Sequence, residues 1–128
     1  MKPIPGDIIS PFGITRNKVG QKQPDFHRGV DQRGQLGEPI QAPNHGVVLL
    51  ATHYKFHGKT ILLNHGQGVG SIYIHLDSIA VQEGDAIYKG DVLGTVGSTG
   101  LATASHLHWG IYVLGEAVDP LQWLEVDF

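Results

Sequence analysis

The sequence contains no cysteine, which excludes disulfide bonds and thiolate metal ligands. Only 16% of the residues are charged and the net charge is −3, so no basic stripe for nucleic acid is expected. No apolar run approaches the roughly 20 residues that a transmembrane helix needs. We therefore expect neither a nucleic-acid partner nor a membrane span, and any metal site must use histidine and carboxylate side chains.

Nothing at the start of the chain resembles an export signal. Met1–Ser10 contains one consecutive apolar pair, Ile8–Ile9, so we expect no secretory leader in it. The protein then works in the cytoplasm, or the chain is a domain or mature form of a longer exported precursor. With 128 residues, we predict one monomeric domain. Its Pro- and Gly-rich residues 1–25 would pack irregularly on a unit formed by residues 26–128.

Glycine and proline, 18 and 7 residues respectively, interrupt the chain so often that no long helix is predicted. The runs between them are rich in β-forming residues: Gly46–Tyr54, Thr60–Asn64, Gly70–Leu76, Val92–Val96 and Leu107–Leu114. Several alternate apolar with polar residues, which is typical of a strand with two different faces. The sequence predicts an all-β fold, with one helical turn at Asp119–Leu124, where Asp is the N-cap and Pro the first helical residue.

The eight histidines are the candidates for chemistry, and two of them form a His-x-His motif. On a strand, His106 and His108 would point to the same face, about 6.6–6.8 Å apart along the chain. Two imidazoles so placed can converge on one ion, or one can bind it while the other faces the same cavity. A single His-x-His is a weak signal, because the pattern also occurs on ordinary surface strands.

A second group is His27 with Asp31, four residues later. In a straight strand the two would lie about 13 Å apart, too far for ligands of one ion. Both can bind one ion only if the chain bends between them, and Gly29 permits a bend. The alternative is that Asp31 simply pairs with Arg28 or Arg33 at the surface.

The third candidate is His75. Strict alternation predicts that Tyr73 and His75 share one strand face, opposite Ile72, Ile74 and Leu76. A half-exposed histidine on a strand is usually inert when it stands alone. The other histidines lie near Gly or Asn in apparent turns, and we interpret them as solvated loop residues: His45, His53, His57 and His65.

Together the three groups offer two histidines and one carboxylate, a common arrangement for hydrolytic zinc. His27 and Asp31 would be joined by either His106 or His108, because spacing alone does not decide between them. The two histidines left over, His75 and one of the pair, could serve as general base and as hydrogen-bond donor to the transition state.

In these motifs the chain resembles the lysostaphin-type (LytM-type) zinc endopeptidases of bacterial cell walls. The resemblance runs from about Ile9 to Leu124. The matching segments, in order, are Ser10–Gly13, His27–Asp31, Ile40–Pro43, Gly46–Val48, Gly58–Gly66, Tyr73–Leu76, Gly84–Asp85, Lys89–Gly90, Gly97–Gly100 and His106–Trp109. So many elements in one order over nearly the whole chain make the resemblance specific.

The resemblance implies a largely antiparallel, two-layer β-domain with an active-site groove, and a metallopeptidase catalytic domain at residues 26–128. It implies that His27, Asp31 and His108 bind one Zn²⁺ ion. It also implies that His75 and His106 are catalytic histidines beside the metal. The substrates would be cross-links or stem peptides of peptidoglycan, and the location periplasmic or extracellular, given an export signal outside this chain.

Three alternatives remain. The first is a non-catalytic protein of the same fold that binds the wall or activates an amidase, although all five site positions are filled here. The second is a biotinyl or lipoyl carrier domain, suggested by Gln82–Asp85 and Lys89–Gly94. A carrier needs its lysine at an exposed hairpin tip in a Met-Lys-type context, which is absent. The third is a β-domain whose histidines are incidental.

Overall fold

The structure is a computed structural model, and it describes residues 2–13, 15–16, 25–26, 28–99 and 105–123. Twelve strands lie in this part of the chain: β1 Ile8–Ser10, β2 Thr15–Arg16, β3 Asp25–Phe26, β4 Val30–Arg33, β5 Pro39–Gln41, β6 Gly46–Tyr54, β7 Gly58–Gly66, β8 Val69–Ile79, β9 Ala86–Ile87, β10 Val92–Val96, β11 His106–Val113 and β12 Glu116–Val118. The 3-10 helix Pro120–Trp123 follows them.

Ten of these strands form one sheet with the order β1-β4-β11-β8-β7-β6-β9. Strand β10 pairs with β5 and β8, β12 pairs with β11, and β2 with β3 form a separate two-stranded sheet. Each pairing is antiparallel. The prediction of an all-β, largely antiparallel fold is confirmed.

The five predicted runs all correspond to strands. Two of them, β6 and β10, begin and end at the predicted residues. The sequence did not predict the short strands β1, β2, β3, β4, β5, β9 and β12, because two to four residues are too few to show a period. The predicted turn at the C-terminal end is present, and the Asp119 side chain accepts a hydrogen bond from the Leu121 amide over 3.1 Å.

The core lies between the long strands β7, β8 and β11 and the short strands β5, β9 and β10. Trp109 and Tyr73 are its largest buried side chains. On β11 the buried side chains are those of Leu107, Trp109 and Ile111, so the side chains of His106 and His108 face the opposite side of the sheet. Burial of alternate residues on this strand therefore determines which face carries the histidines.

Gln32 joins the N-terminal segment to strands β4 and β11. Its buried side-chain amide donates to the carbonyl oxygens of Ile4 (2.5 Å) and Gly6 (2.7 Å), and its oxygen accepts from the Trp109 indole over 3.1 Å. Gln32 thereby holds β4 with its even-numbered residues in the core and Asp31 on the face of the histidines. The domain boundary at residues 25 and 26 stays a prediction.

Candidate metal centre and catalytic histidines

Asp31 and His108 meet across the antiparallel pair β4–β11. They are direct partners in the register, although 77 residues separate them in sequence. Paired residues of neighbouring antiparallel strands project to the same face. The Asp31 Oδ1 and His108 Nδ1 atoms are accordingly 2.8 Å apart.

His106 lies on the same face, two residues before His108. Its Nε2 atom is 3.9 Å from the same Asp31 oxygen. The His106 ring centroid is 6.1 Å from the His75 ring centroid, with the rings inclined at 55°. Four predicted site residues, Asp31, His75, His106 and His108, are thus brought to one place from three strands.

His75 reaches this face only because the strand is irregular. Tyr73 and Leu76 are both buried in the core, so strict alternation is broken between them. The register of β7 with β8 shifts between Lys59 and Ile61, and His75 has a φ of 62°. A β-bulge explains both observations. The prediction that Tyr73 and His75 share a face, opposite Leu76, is therefore wrong, because the extra residue reverses the order of faces.

The ring of His75 is held by a hydrogen bond 2.7 Å long between its Nδ1 atom and the carbonyl oxygen of Thr99. A carbonyl oxygen only accepts, so Nδ1 carries the hydrogen and Nε2 of the neutral ring has a lone pair. Desolvation by burial lowers the pKa of His75, the bond to Thr99 opposes this, and nearby histidines lower it further. Among the residues that the structure describes, Nε2 has no hydrogen-bond partner.

Gly29 allows the chain before β4 to pack against β11. A Cβ atom at this position would collide with the Trp109 carbonyl oxygen and approach His108 Nε2 to 3.0 Å. The chain bends at Gly29, the residue at which the sequence permits a bend. A larger residue would push against the His108 ring, so only glycine lets the backbone pack this close to β11.

An apolar hollow of about 550 Å³ continues along the same face of the sheet. Its lining includes Leu50 and Ile72 on the strands and Phe56 in the β6–β7 turn. Ile72 lies opposite Gly110, one step along the ladder from the Ile74–His108 pair. The edge of the hollow at Ile72 is therefore one side-chain repeat, about 6.6–6.8 Å, from Ile74, the register partner of His108.

The donor atoms at this site suit zinc in kind. Zn²⁺ takes carboxylate oxygen and imidazole nitrogen, and two ligands of one tetrahedral ion lie roughly 3.3 Å apart. Asp31 Oδ1 and His108 Nδ1 are nearer than this, at 2.8 Å, because they share a hydrogen bond. Within the described ranges no three His, Cys, Asp or Glu side chains form a metal-binding group. A third ligand must come from elsewhere, and His27 lies outside the described residues.

The sequence was compared with family models, and the model of peptidase family M23 matches residues 25–120. This range includes every residue of the cluster just described. The chain belongs to peptidase family M23. The resemblance to lysostaphin-type enzymes is therefore confirmed.

Among curated M23 relatives, the DD-carboxypeptidase/endopeptidase Mpg of Neisseria meningitidis serogroup B is 32% identical over 114 residues, covering 89% of this chain. The peptidoglycan DD-endopeptidase ShyA of Vibrio cholerae is 30% identical over 115 residues, covering 90%. The chain spans only 26% and 27% of these two relatives. Their activities as whole proteins therefore come to this chain only as proposals.

Solved structures of M23 peptidases have the same fold. A zinc-containing peptidase from Vibrio cholerae matches with a TM-score of 0.84 and 27% identity, over 89% of this chain and 35% of that one. The catalytic domain of lysostaphin from Staphylococcus simulans matches with a TM-score of 0.82 and 29% identity. That match covers 94% of this chain and 92% of the lysostaphin domain, so the likeness extends over nearly a whole catalytic domain.

Sequence reasoning missed the role of His65, which was interpreted as a solvated loop residue. It lies within β7 and is half-buried. Its Nδ1 donates to the His45 carbonyl (2.6 Å), so its Nε2 accepts from the Ser71 hydroxyl (2.7 Å), which in turn accepts from the Tyr73 hydroxyl (2.9 Å). Burial lowers the pKa of His65, and the bond to His45 opposes this. No signal in the sequence separated this histidine from a surface one.

Two further histidines interpreted as loop residues, His53 and His57, lie in a strand and in a turn respectively. His53 lies in β6 and is exposed, so it is not a loop residue. His57 lies in the β6–β7 turn, where its carbonyl oxygen accepts from the His75 amide over 2.8 Å. This turn therefore contacts the bulge that carries His75.

Proposed function

We propose that this domain is a zinc-dependent endopeptidase that hydrolyses peptide bonds in peptidoglycan cross-links or stem peptides. The observation that carries the proposal is the 2.8 Å approach of Asp31 to His108, with His106 and His75 beside it. In this proposal His27, Asp31 and His108 hold one zinc ion. The domain would act in the periplasm or outside the cell, with export dependent on sequence beyond this chain. In the described residues no helix is long and apolar enough to cross a membrane.

When bound, zinc supplies Lewis-acid activation of water and of the scissile carbonyl group. The residues of the chain would do the rest. His75 takes the proton from water, because its Nδ1 hydrogen is already donated to Thr99 and its Nε2 lone pair is available. His106 donates a hydrogen bond to the oxyanion that develops from the carbonyl, and His75 returns the proton that it took from water to the leaving amine.

The hollow beside the histidines favours a substrate with an apolar side chain. An extended peptide on this face would place a side chain over Leu50, Phe56 and Ile72 when its scissile bond lies at the histidines. The methyl group of D-alanine could fill part of this space, whereas glycine has no side chain to bury. We therefore propose that the bond cut is a D-alanyl bond of the DD type, as named for the Neisseria and Vibrio relatives.

The test is mass spectrometry of muropeptides released by zinc-loaded protein from two defined walls, one with D-alanyl cross-links and one with glycine bridges. We expect cross-linked dimers of the first wall to become monomers. Cleavage of glycine bridges alone would contradict the proposed bond. Asp31→Asn should be inactive, and Asp77→Asn, which changes an exposed carboxylate on β8, should be active. Wall binding without any product would favour the non-catalytic regulator instead.

A further inference from the structure

Thr99 connects His75 to the two strands that flank its bulge. The Thr99 hydroxyl donates to the carbonyl oxygen of Leu76 on β8 over 2.7 Å and accepts from the amide of Lys59 on β7 over 3.0 Å. Lys59 and Leu76 are partners in the β7–β8 register, at the point where that register shifts. A side-chain hydroxyl thus bridges the two strands where the ladder is irregular.

The backbone of the same residue contacts the His75 ring. Through its carbonyl oxygen Thr99 accepts the hydrogen of His75 Nδ1. The two hydrogen bonds of the hydroxyl hold Thr99 against both strands, so losing them would free the residue, and with it the carbonyl oxygen, to shift relative to the His75 ring. The side chain therefore holds the backbone in the orientation that the imidazole requires.

Gly58 makes this arrangement possible. It has a φ of 69°, and a Cβ atom there would lie 2.6 Å from the Thr99 carbonyl oxygen and closer still to its hydroxyl. No side chain fits between the β6–β7 turn and Thr99. The β6–β7 turn and Thr99 are therefore in direct contact. The turn also contacts the bulge, because the carbonyl oxygen of His57, next to Gly58, accepts a hydrogen bond from the His75 amide.

We propose that Thr99 is a positioning residue that fixes the ring orientation and the tautomer of His75, with its hydroxyl serving as the clamp. The inference rests on the proposed function, in which His75 takes a proton at Nε2. With the clamp in place, Nδ1 keeps its hydrogen and Nε2 keeps its lone pair. Without it, the ring can turn or take the other tautomer, which cannot act as the base.

The first test reads the tautomer directly, by long-range ¹H–¹⁵N NMR of the histidine rings in metal-free and zinc-loaded protein. We expect the Nδ1–H form of His75 in the wild type and in Thr99→Ser, and a mixture in Thr99→Val, which keeps the shape but lacks the hydroxyl. A wild-type His75 with its hydrogen on Nε2 would overturn the proposal, whether or not any variant folds. This measurement needs no substrate, so it stands apart from failure of the proposed function.

The second test is kinetic. For Thr99→Val we expect kcat to fall about 10–100-fold with KM and zinc content unchanged, since misplacing a catalytic group by about 1 Å can cost this much. Thr99→Ser should restore most of the rate. The matched control is Thr95→Val, which removes a hydroxyl bonded to Ser78 Oγ (2.6 Å) away from His75. Equal losses in both valine variants, or wild-type kcat in Thr99→Val, would overturn the proposal.

Discussion

Strand β8 contributes to two histidine environments, that of His65 on β7 and that of its own His75, which differ in how the ring nitrogens are used. At one end, Ser71 bonds to the ring of His65 and accepts a hydrogen bond from Tyr73, and both ring nitrogens of His65 have partners inside the protein. At the other, His75 uses Nδ1 internally, and no bond to its Nε2 is found within the described part of the chain. A histidine with both nitrogens bonded stabilises the fold, whereas one with a single anchored nitrogen is oriented and still able to exchange a proton.

The largest effect should come from removing a proposed metal ligand. We expect His108→Ala to lower zinc content from about one ion per chain to near zero and to abolish hydrolysis, because two remaining ligands are too few. Metal analysis by mass spectrometry after dialysis measures this. His53→Ala, which changes an exposed histidine on β6, should keep its zinc. A zinc content of one ion per chain in His108→Ala would contradict the proposed role of His108 as a metal ligand.

The next largest effect distinguishes the proposed catalytic residue His106 from the proposed metal ligand His108. His106→Ala should reduce the rate of hydrolysis about 10²–10³-fold, the usual cost of one transition-state donor, and leave zinc bound. Paired measurements of zinc content and kcat check it. If His106→Ala lost the metal and His108→Ala retained it, the two roles would be reversed.

Removing a hydrogen-bond partner from the His65 environment should lower the free energy of unfolding and leave the rate of hydrolysis unchanged. Ser71→Ala leaves the Tyr73 hydroxyl and the His65 ring without their shared partner, so we expect a loss of about 1–3 kcal/mol in the free energy of unfolding. Urea denaturation measures the loss, with kcat of the folded enzyme unchanged. Ser78→Ala removes an exposed hydroxyl and should cost less than about 0.5 kcal/mol. Equal costs would show that the Ser71 chain does not stabilise the fold.

The smallest effect concerns pH. Burial lowers the pKa of His65 below its ordinary value of 6.5, so between those two values only the unfolded chain takes up the proton. Stability should therefore be constant above about pH 6.5, fall as the pH drops below it, and level off beneath the folded pKa. Urea denaturation at pH 7.5 and 5.5 measures the change, which should be smaller in His65→Gln. If the free energy of unfolding fell equally in His65→Gln, the pH dependence would belong to other titratable groups such as His75, whose pKa is also lowered.

Sequence patterns predicted the fold and the identity of the cluster better than its geometry. The bounds of β6 and β10 follow from local alternation and the glycines around them. The pairing of Asp31 with His108 could not be read from spacing, because it depends on strand register across 77 residues. The position of His75 depends on a bulge that its own strand pattern does not show, since that bulge is held by Lys59 and Thr99.

The pairing of Asp31 with His108 also limits how related sequences can change in length. Adding or deleting one residue within β4 or β11 would turn every following side chain to the other face, sending a ligand towards the core. Substitutions nearby alter single contacts, whereas a one-residue length change dismantles the centre altogether. Insertions and deletions that preserve function should therefore accumulate in the connections between strands, and alignments of active relatives should be free of gaps across Val30–Arg33 and His106–Val113.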